Sequence, residues 1–113
     1  FRMDVAARGE LAKVGRHVFT GRAGIGFTQL SARPLPHGEF SAPVSLLDLS
    51  ASIAWNSVEI AAQVQNLLGA EYAATEFNFA SHWDPDAPRS RLPARHSSAG
   101  APRTFLVSLE WQL

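Results

Sequence analysis

The sequence predicts an all-β chain, an antiparallel up-and-down meander of about five strands. Three observations carry that prediction. Apolar residues recur with a period of two in five separate stretches. Where two of these stretches meet at Asn56-Ser57, the parity of the alternation reverses, as a two-residue hairpin demands. The connections alternate short, long, short, long, which in a meander puts both short turns at one end and both long loops at the other.

The first strand covers about 1–11, with Phe1, Met3, Val5, Ala7, Gly9 and Leu11 on one face and Arg2, Asp4, Ala6, Arg8 and Glu10 on the other. The second covers about 17–30, with Phe19, Gly21, Ala23, Ile25 and Phe27 opposite Thr20, Arg22 and Thr28. Parity is unchanged between these two, so their connection is expected to hold an odd number of residues, three or five. Pro34, Pro36, His37, Gly38 and Pro43 mark 31–43 as a long loop, because proline cannot donate to a ladder.

The third and fourth strands, about 45–56 and 58–67, form the central hairpin. Its expected register sets Trp55 against Val58, Ile53 against Ile60, Leu49 against Val64, Ser50 against Gln63 and Asp48 against Gln65. Slipping by one residue would oppose every apolar side chain with a polar one. Asn56 tolerates the positive φ that such a turn needs. From 69 to 102 the alternation dissolves into a second long loop, and the last strand, about 103–113, carries Phe105, Val107, Leu109, Trp111 and Leu113 on one face. Phe19, Trp55 and Trp111 all fall near the short-turn end.

At 113 residues the chain has room for one domain. Lysine and arginine total 10, as do aspartate and glutamate, so no basic field points to nucleic acid. There is no cysteine, which excludes a disulfide framework and thiol chemistry and leaves the compartment open. No apolar run approaches the ~20 residues of a membrane-spanning helix, although tilted strands of about 10 residues also cross bilayers. The chain begins in mid-pattern at Phe1, without a leader, and is expected to be a piece of something longer.

An apolar face of this kind serves either a soluble sandwich, packed on a second sheet, or a transmembrane barrel, facing lipid. Base rates favour the soluble sheet. Three features favour the barrel. The polar face bears opposed charges along its length (Arg2, Asp4, Arg8, Glu10), as a wet or plugged lumen would. The ten residues Leu47–Asn56, at ~3.3 Å each and a tilt near 45°, span about 23 Å, close to the ~25 Å apolar band of an outer-membrane barrel. Two tryptophans share one level, as in an interfacial girdle.

The segment Asn66-Leu67-Leu68-Gly69-Ala70-Glu71-Tyr72, followed some thirty residues later by Ala101-Pro102-Arg103-Thr104-Phe105 and the strand Val107–Trp111, resembles the carboxy-terminal end of TonB-dependent outer-membrane receptors. In that family an Asn-Leu-Phe-x-x-x-Tyr pattern closes the penultimate strand and a Pro-Arg-Thr-Phe-like entry opens the last. Leu68 stands where the pattern has Phe, and Leu113 where the family generally ends in an aromatic, which weakens the last strand as an insertion signal for the barrel-assembly machinery. The resemblance implies the last strands of a plugged barrel of about 22 strands, in the bacterial cell outer membrane. It implies uptake of scarce ligands such as ferric siderophores, cobalamin or oligosaccharides, powered through TonB and a plug domain of the same full-length chain. Short turns would be periplasmic and the loops 31–43 and 69–102 extracellular. Motif positions Asn66, Leu67, Tyr72, Pro102, Arg103, Thr104 and Phe105 would be structural. Phe19, Trp55 and Trp111 would lie at the membrane interface. The reading from a different class is a soluble β-sandwich or carbohydrate-binding module with a site on its long loops.

Catalytic, cofactor and metal motifs are not expected. His82, Asp84, Asp86 and His96 lack a tight metal-ligand spacing. The cluster Gly21, Gly24, Gly26 lies within a strand and precedes no helix, so it marks close packing or a bend and not a phosphate loop. No nucleophile elbow is present. Phe77, Phe79 and Trp83 in the second long loop would either pin that loop to the barrel rim or contact a ligand. Arg22, Asp48 and Glu59 are expected to form cross-strand polar pairs, with contact to a plug or permeating ligand as the other reading.

Overall fold

A computed structural model of the chain describes residues 1–81, 85–86 and 92–112. Among these residues there are seven strands: β1 (Arg2–Val14), β2 (His17–Leu30), β3 (Val44–Trp55), β4 (Val58–Gln65), β5 (Ala73–Ala80), β6 (Pro93–Ala99) and β7 (Thr104–Trp111). Five of them form one antiparallel sheet in the order β1-β2-β3-β4-β7, while β5 and β6 pair separately. The five-strand meander is therefore as the alternation predicts. The chain divides into two compact units, the sheet with its short turns (1–29, 45–70, 102–113) and the two long connections (30–44, 71–101).

In the sheet, the β3–β4 register follows the hydrophobic pattern: Trp55 opposes Val58, Ile53 Ile60, Leu49 Val64 and Ser50 Gln63. Asn56 turns the corner with φ 50°. The β1–β2 connection differs from the three or five residues that parity implies. Val14 pairs with His17 across the two residues Gly15-Arg16, with Gly15 at φ 61°. A β-bulge restores the parity: Glu10 opposes Thr20 but Ala12 opposes Phe19, leaving Leu11 as the extra residue. Past the bulge the ladder continues to Val14, so β1 is longer than its alternation shows.

β4 then pairs with β7, Val64 against Phe105 and Val58 against Trp111. The expected opposition of Asp48 and Gln65 gives way to a different contact: Asp48 Oδ1 accepts the Asn66 N–H at 2.9 Å, and Leu67 N–H donates to the Leu47 carbonyl one step out of register.

The second unit departs most from the sequence pattern. The stretch 69–102, expected to be a loop, contains the β5–β6 hairpin, with Phe77 opposite His96 and Phe79 opposite Ala94. Pro93 sits at the first residue of β6, where its missing donor is tolerated. The connection 31–43 folds back on itself: Pro34 bridges Phe40, Ser41 N–H donates to the Arg33 carbonyl, and a short 3-10 turn at Pro36–Gly38 forms the tip. His37 and Gly38 have φ 62° and 79° there.

Candidate functional site

The two faces of the sheet are the features with chemical character. On one face lie Met3, Val5, Ile25, Ile53, Ile60, Phe105, Val107, Leu109 and Trp111, each between 46 and 74 % exposed. Cross-strand pairs keep these residues on a common side, from Met3–Phe27 and Val5–Ile25 to Ile53–Ile60–Leu109. Among the described residues the only buried apolar side chain is Val44, so this face carries no second layer. Monomeric soluble proteins rarely leave so long an apolar surface open to water.

At the short-turn end the face closes with an aromatic row. Trp55 opposes Val58 and Val58 opposes Trp111, which puts both tryptophans at one level across three adjacent strands. Phe19 stacks on Trp55 with ring centroids 5.7 Å apart and planes 7° from parallel, and His17 meets the same indole edge-on at 5.9 Å. His17 Nδ1 and Asn56 Oδ1 lie 3.0 Å apart, which ties the two short turns side by side.

The opposite face is polar. Arg2 binds Asp4 at 2.8 Å, and Arg22 faces Glu59 at 3.9 Å across the sheet. Asp48 caps Asn66, so these charged groups partner within the sheet. Between them runs a shallow trough of small residues, Ala6, Gly24, Ser50, Ser52 and Ala61. At Gly24 the strands lie close: an added Cβ would meet Ser50 Oγ at 2.7 Å, so the serine hydroxyl would have to turn away.

The two motif segments meet in space. Asn66, 4 % exposed and at φ 50°, donates from Nδ2 to the Ala70 carbonyl at 2.8 Å and accepts the Ala70 N–H at Oδ1 at 2.9 Å. Its side chain thus ends β4 by closing a five-residue turn on local backbone. Gly69, at φ 64°, lies against the Arg103 guanidinium, where a Cβ would collide. Thr104 pairs with Gln65, and its hydroxyl donates to the Pro102 carbonyl at 3.1 Å. Leu67 is half-buried beside them. In the other unit the Tyr72 ring covers Gly100, its carbonyl accepts the Gly100 N–H and its hydroxyl accepts the Ala101 N–H at 3.2 Å.

Of the loop aromatics, Phe77 and Phe79 are 58 and 48 % exposed, and Phe79 stacks on His96 at 4.1 Å. Trp83, with His82 and Asp84, lies outside the described residues. Among the described residues no group of three His, Asp or Glu side chains is disposed to hold a metal ion. Among the described residues no helix is long and apolar enough to cross a membrane, which says nothing of strands.

What the sequence pattern missed is the inversion on β5: Glu76 and Asn78 are buried, at 8 and 4 % exposure, while the phenylalanines between them face outward. The period of two in Thr75, Phe77 and Phe79 was the available signal for this strand. Comparison of the chain with family models, with curated proteins and with solved structures yields no match.

Proposed function

We propose that this chain forms the carboxy-terminal strands of the transmembrane barrel of a TonB-dependent outer-membrane receptor, a transport protein and not an enzyme. The observation that carries the reading is the uncovered apolar face bounded by its aromatic row and backed by a polar face. Such a face is stable only against hydrocarbon or a second layer, and the described residues supply no second layer.

The sheet edges support the same reading. β1 and β7 have no partner on their outer sides among the described residues, and neither contains proline. Long open edges of this kind template aggregation unless another strand pairs with them. With four antiparallel pairings between them, β1 and β7 run in the same direction. Pairing them with each other would make a parallel seam, so an all-antiparallel barrel requires an odd number of further strands, as a receptor of about 22 strands provides.

In this reading the outer face contacts outer-membrane lipid and the polar face lines a lumen holding the plug, through which TonB acts. The barrel-assembly machinery inserts the protein, and the imported ligand is a scarce small molecule or oligosaccharide such as a ferric siderophore or cobalamin. Nucleic acid is not a partner, as the balanced charge implies. The test is fractionation of cells expressing the full-length protein, followed by electrophoresis with and without boiling. Recovery in the outer membrane with heat-dependent migration supports the reading. A protein that stays soluble and monomeric without detergent defeats it.

A further inference from the structure

The second unit places buried polar side chains where a hairpin of this composition would bury phenylalanine. β5 turns Glu76 and Asn78 inward, and each binds backbone of the other long connection. Asn78 Nδ2 donates to the Pro36 carbonyl at 2.9 Å, at the tip of the folded-back segment. Glu76 Oε2 accepts the Ala42 N–H at 3.2 Å, at its base. Across the hairpin, Arg95 of β6 donates to Glu39 Oε2 at 2.9 Å and to the Phe40 carbonyl at 3.0 Å, and its other amino group lies 3.9 Å from Glu76 Oε1.

These contacts grip one connection at three successive points, its tip, its returning limb and its base. All three grips come from side chains that the distant connection contributes, 34 to 56 residues away in sequence. The segment 31–43 has no buried apolar anchor of its own, since Phe40 is 59 % exposed. Its internal hydrogen bonds, Leu35 N–H to the Glu39 carbonyl and the reciprocal pair of Arg33 and Ser41, close it as a small ring but attach it to nothing.

We propose that the two long connections unfold and refold as one cooperative unit, held by a polar latch in which Asn78, Glu76 and Arg95 clasp the segment 31–43. Nothing in this inference depends on the transport reading; it holds equally if the chain belongs to a soluble protein. Its consequence is that a ligand or partner engaging either connection alone shifts both. A latch made of hydrogen bonds and one ion-pair cluster suits this better than a greasy contact would. A buried carboxamide and carboxylate left without their backbone partners are costly, so partial opening is disfavoured and the grips release together.

The test is amide hydrogen exchange on the full-length protein in detergent, read at Leu35, Ser41 and Ala42, whose N–H groups are bonded in the closed form. Asn78→Asp keeps the side chain's shape but removes the donor to Pro36. Arg95→Ala, at an exposed position, removes the second grip and serves alone if the first variant does not fold. Exchange at all three amides about tenfold faster or more, with β3 and β4 amides unchanged, is the expected result. Unchanged exchange at Leu35 and Ser41 would overturn the proposal. So would loss of protection throughout the sheet, because the connections would then not be a separate body.

Discussion

Arginine introduced at three positions of β4 separates a lipid-facing sheet from a water-facing one. Ala62 lies on the apolar face in the row Ala51–Ala62–Val107, and Ala61 next to it points to the polar side, where it lines the trough with Arg22 and Glu59. Val58 is on the apolar face at the level of the two tryptophans. Ala62 is four residues from Val58, about 13 Å along the strand at ~3.3 Å per residue and roughly 9 Å in depth at a 45° tilt. That places it near the middle of a ~25 Å apolar band whose edge is the aromatic row. Ala62→Arg should then cost about 2–4 kcal/mol, Val58→Arg about 0–1 kcal/mol because its charge reaches the interface, and Ala61→Arg no more than ~0.5 kcal/mol. The first value corresponds to roughly 30- to 700-fold in the folding equilibrium. Denaturant titration of the full-length protein reconstituted in lipid vesicles measures all three. In a soluble sheet with this face exposed, arginine at 61 and at 62 would be equally harmless. A cost at Ala61 equal to or above that at Ala62 would refute the assignment of the faces.

Further outcomes follow from the turns and the aromatic row. Asn66→Ala loses both hydrogen bonds to Ala70 while keeping the left-handed backbone, and should cost about 2–4 kcal/mol; Asn66→Gly, which relieves the backbone, should recover about 1 kcal/mol of that in the same titration. Gly69→Ala is expected to destabilise by about 1–2 kcal/mol and to displace the Arg103 side chain, visible as altered exchange at Thr104 and Phe105. Trp55→Leu should cost about 1 kcal/mol more than Trp111→Leu, because it also loses the stacked contact with Phe19. Equal losses at both tryptophans would show that the Phe19 contact adds nothing.

The sheet was legible wherever one face is uniformly apolar. The β3–β4 pairing followed from the alternation because a slipped register would oppose Ile53 and Ile60 with polar residues, and the structure keeps those two paired. The length of the β1–β2 turn is hidden by the regularity of the pattern on either side of it. The bulge at Leu11 absorbs one residue and hides an even loop behind an odd count. In the second unit, alternation fails because burial there follows hydrogen bonding. Glu76 and Asn78 are inside and Phe77 and Phe79 outside, and β6 has no apolar stripe at all. The motif residues were recognisable as a pattern, but the sequence gives no hint that Gly69 takes a left-handed backbone with the Arg103 guanidinium lying against it.

The central claim concerns what wets each side of β4, and these 113 residues hold no cysteine to compete with one introduced there. A spin label is attached singly at each position from 58 to 65 of the full-length protein in lipid vesicles, and its collisions with oxygen and with a polar nickel chelate are compared. The account predicts alternation: oxygen dominates at 58, 60, 62 and 64, and the chelate, or protection from both by the lumen contents, at 59, 61, 63 and 65. Labels at 60 and 62 that meet the chelate freely, or that are shielded from oxygen and chelate alike, would contradict it.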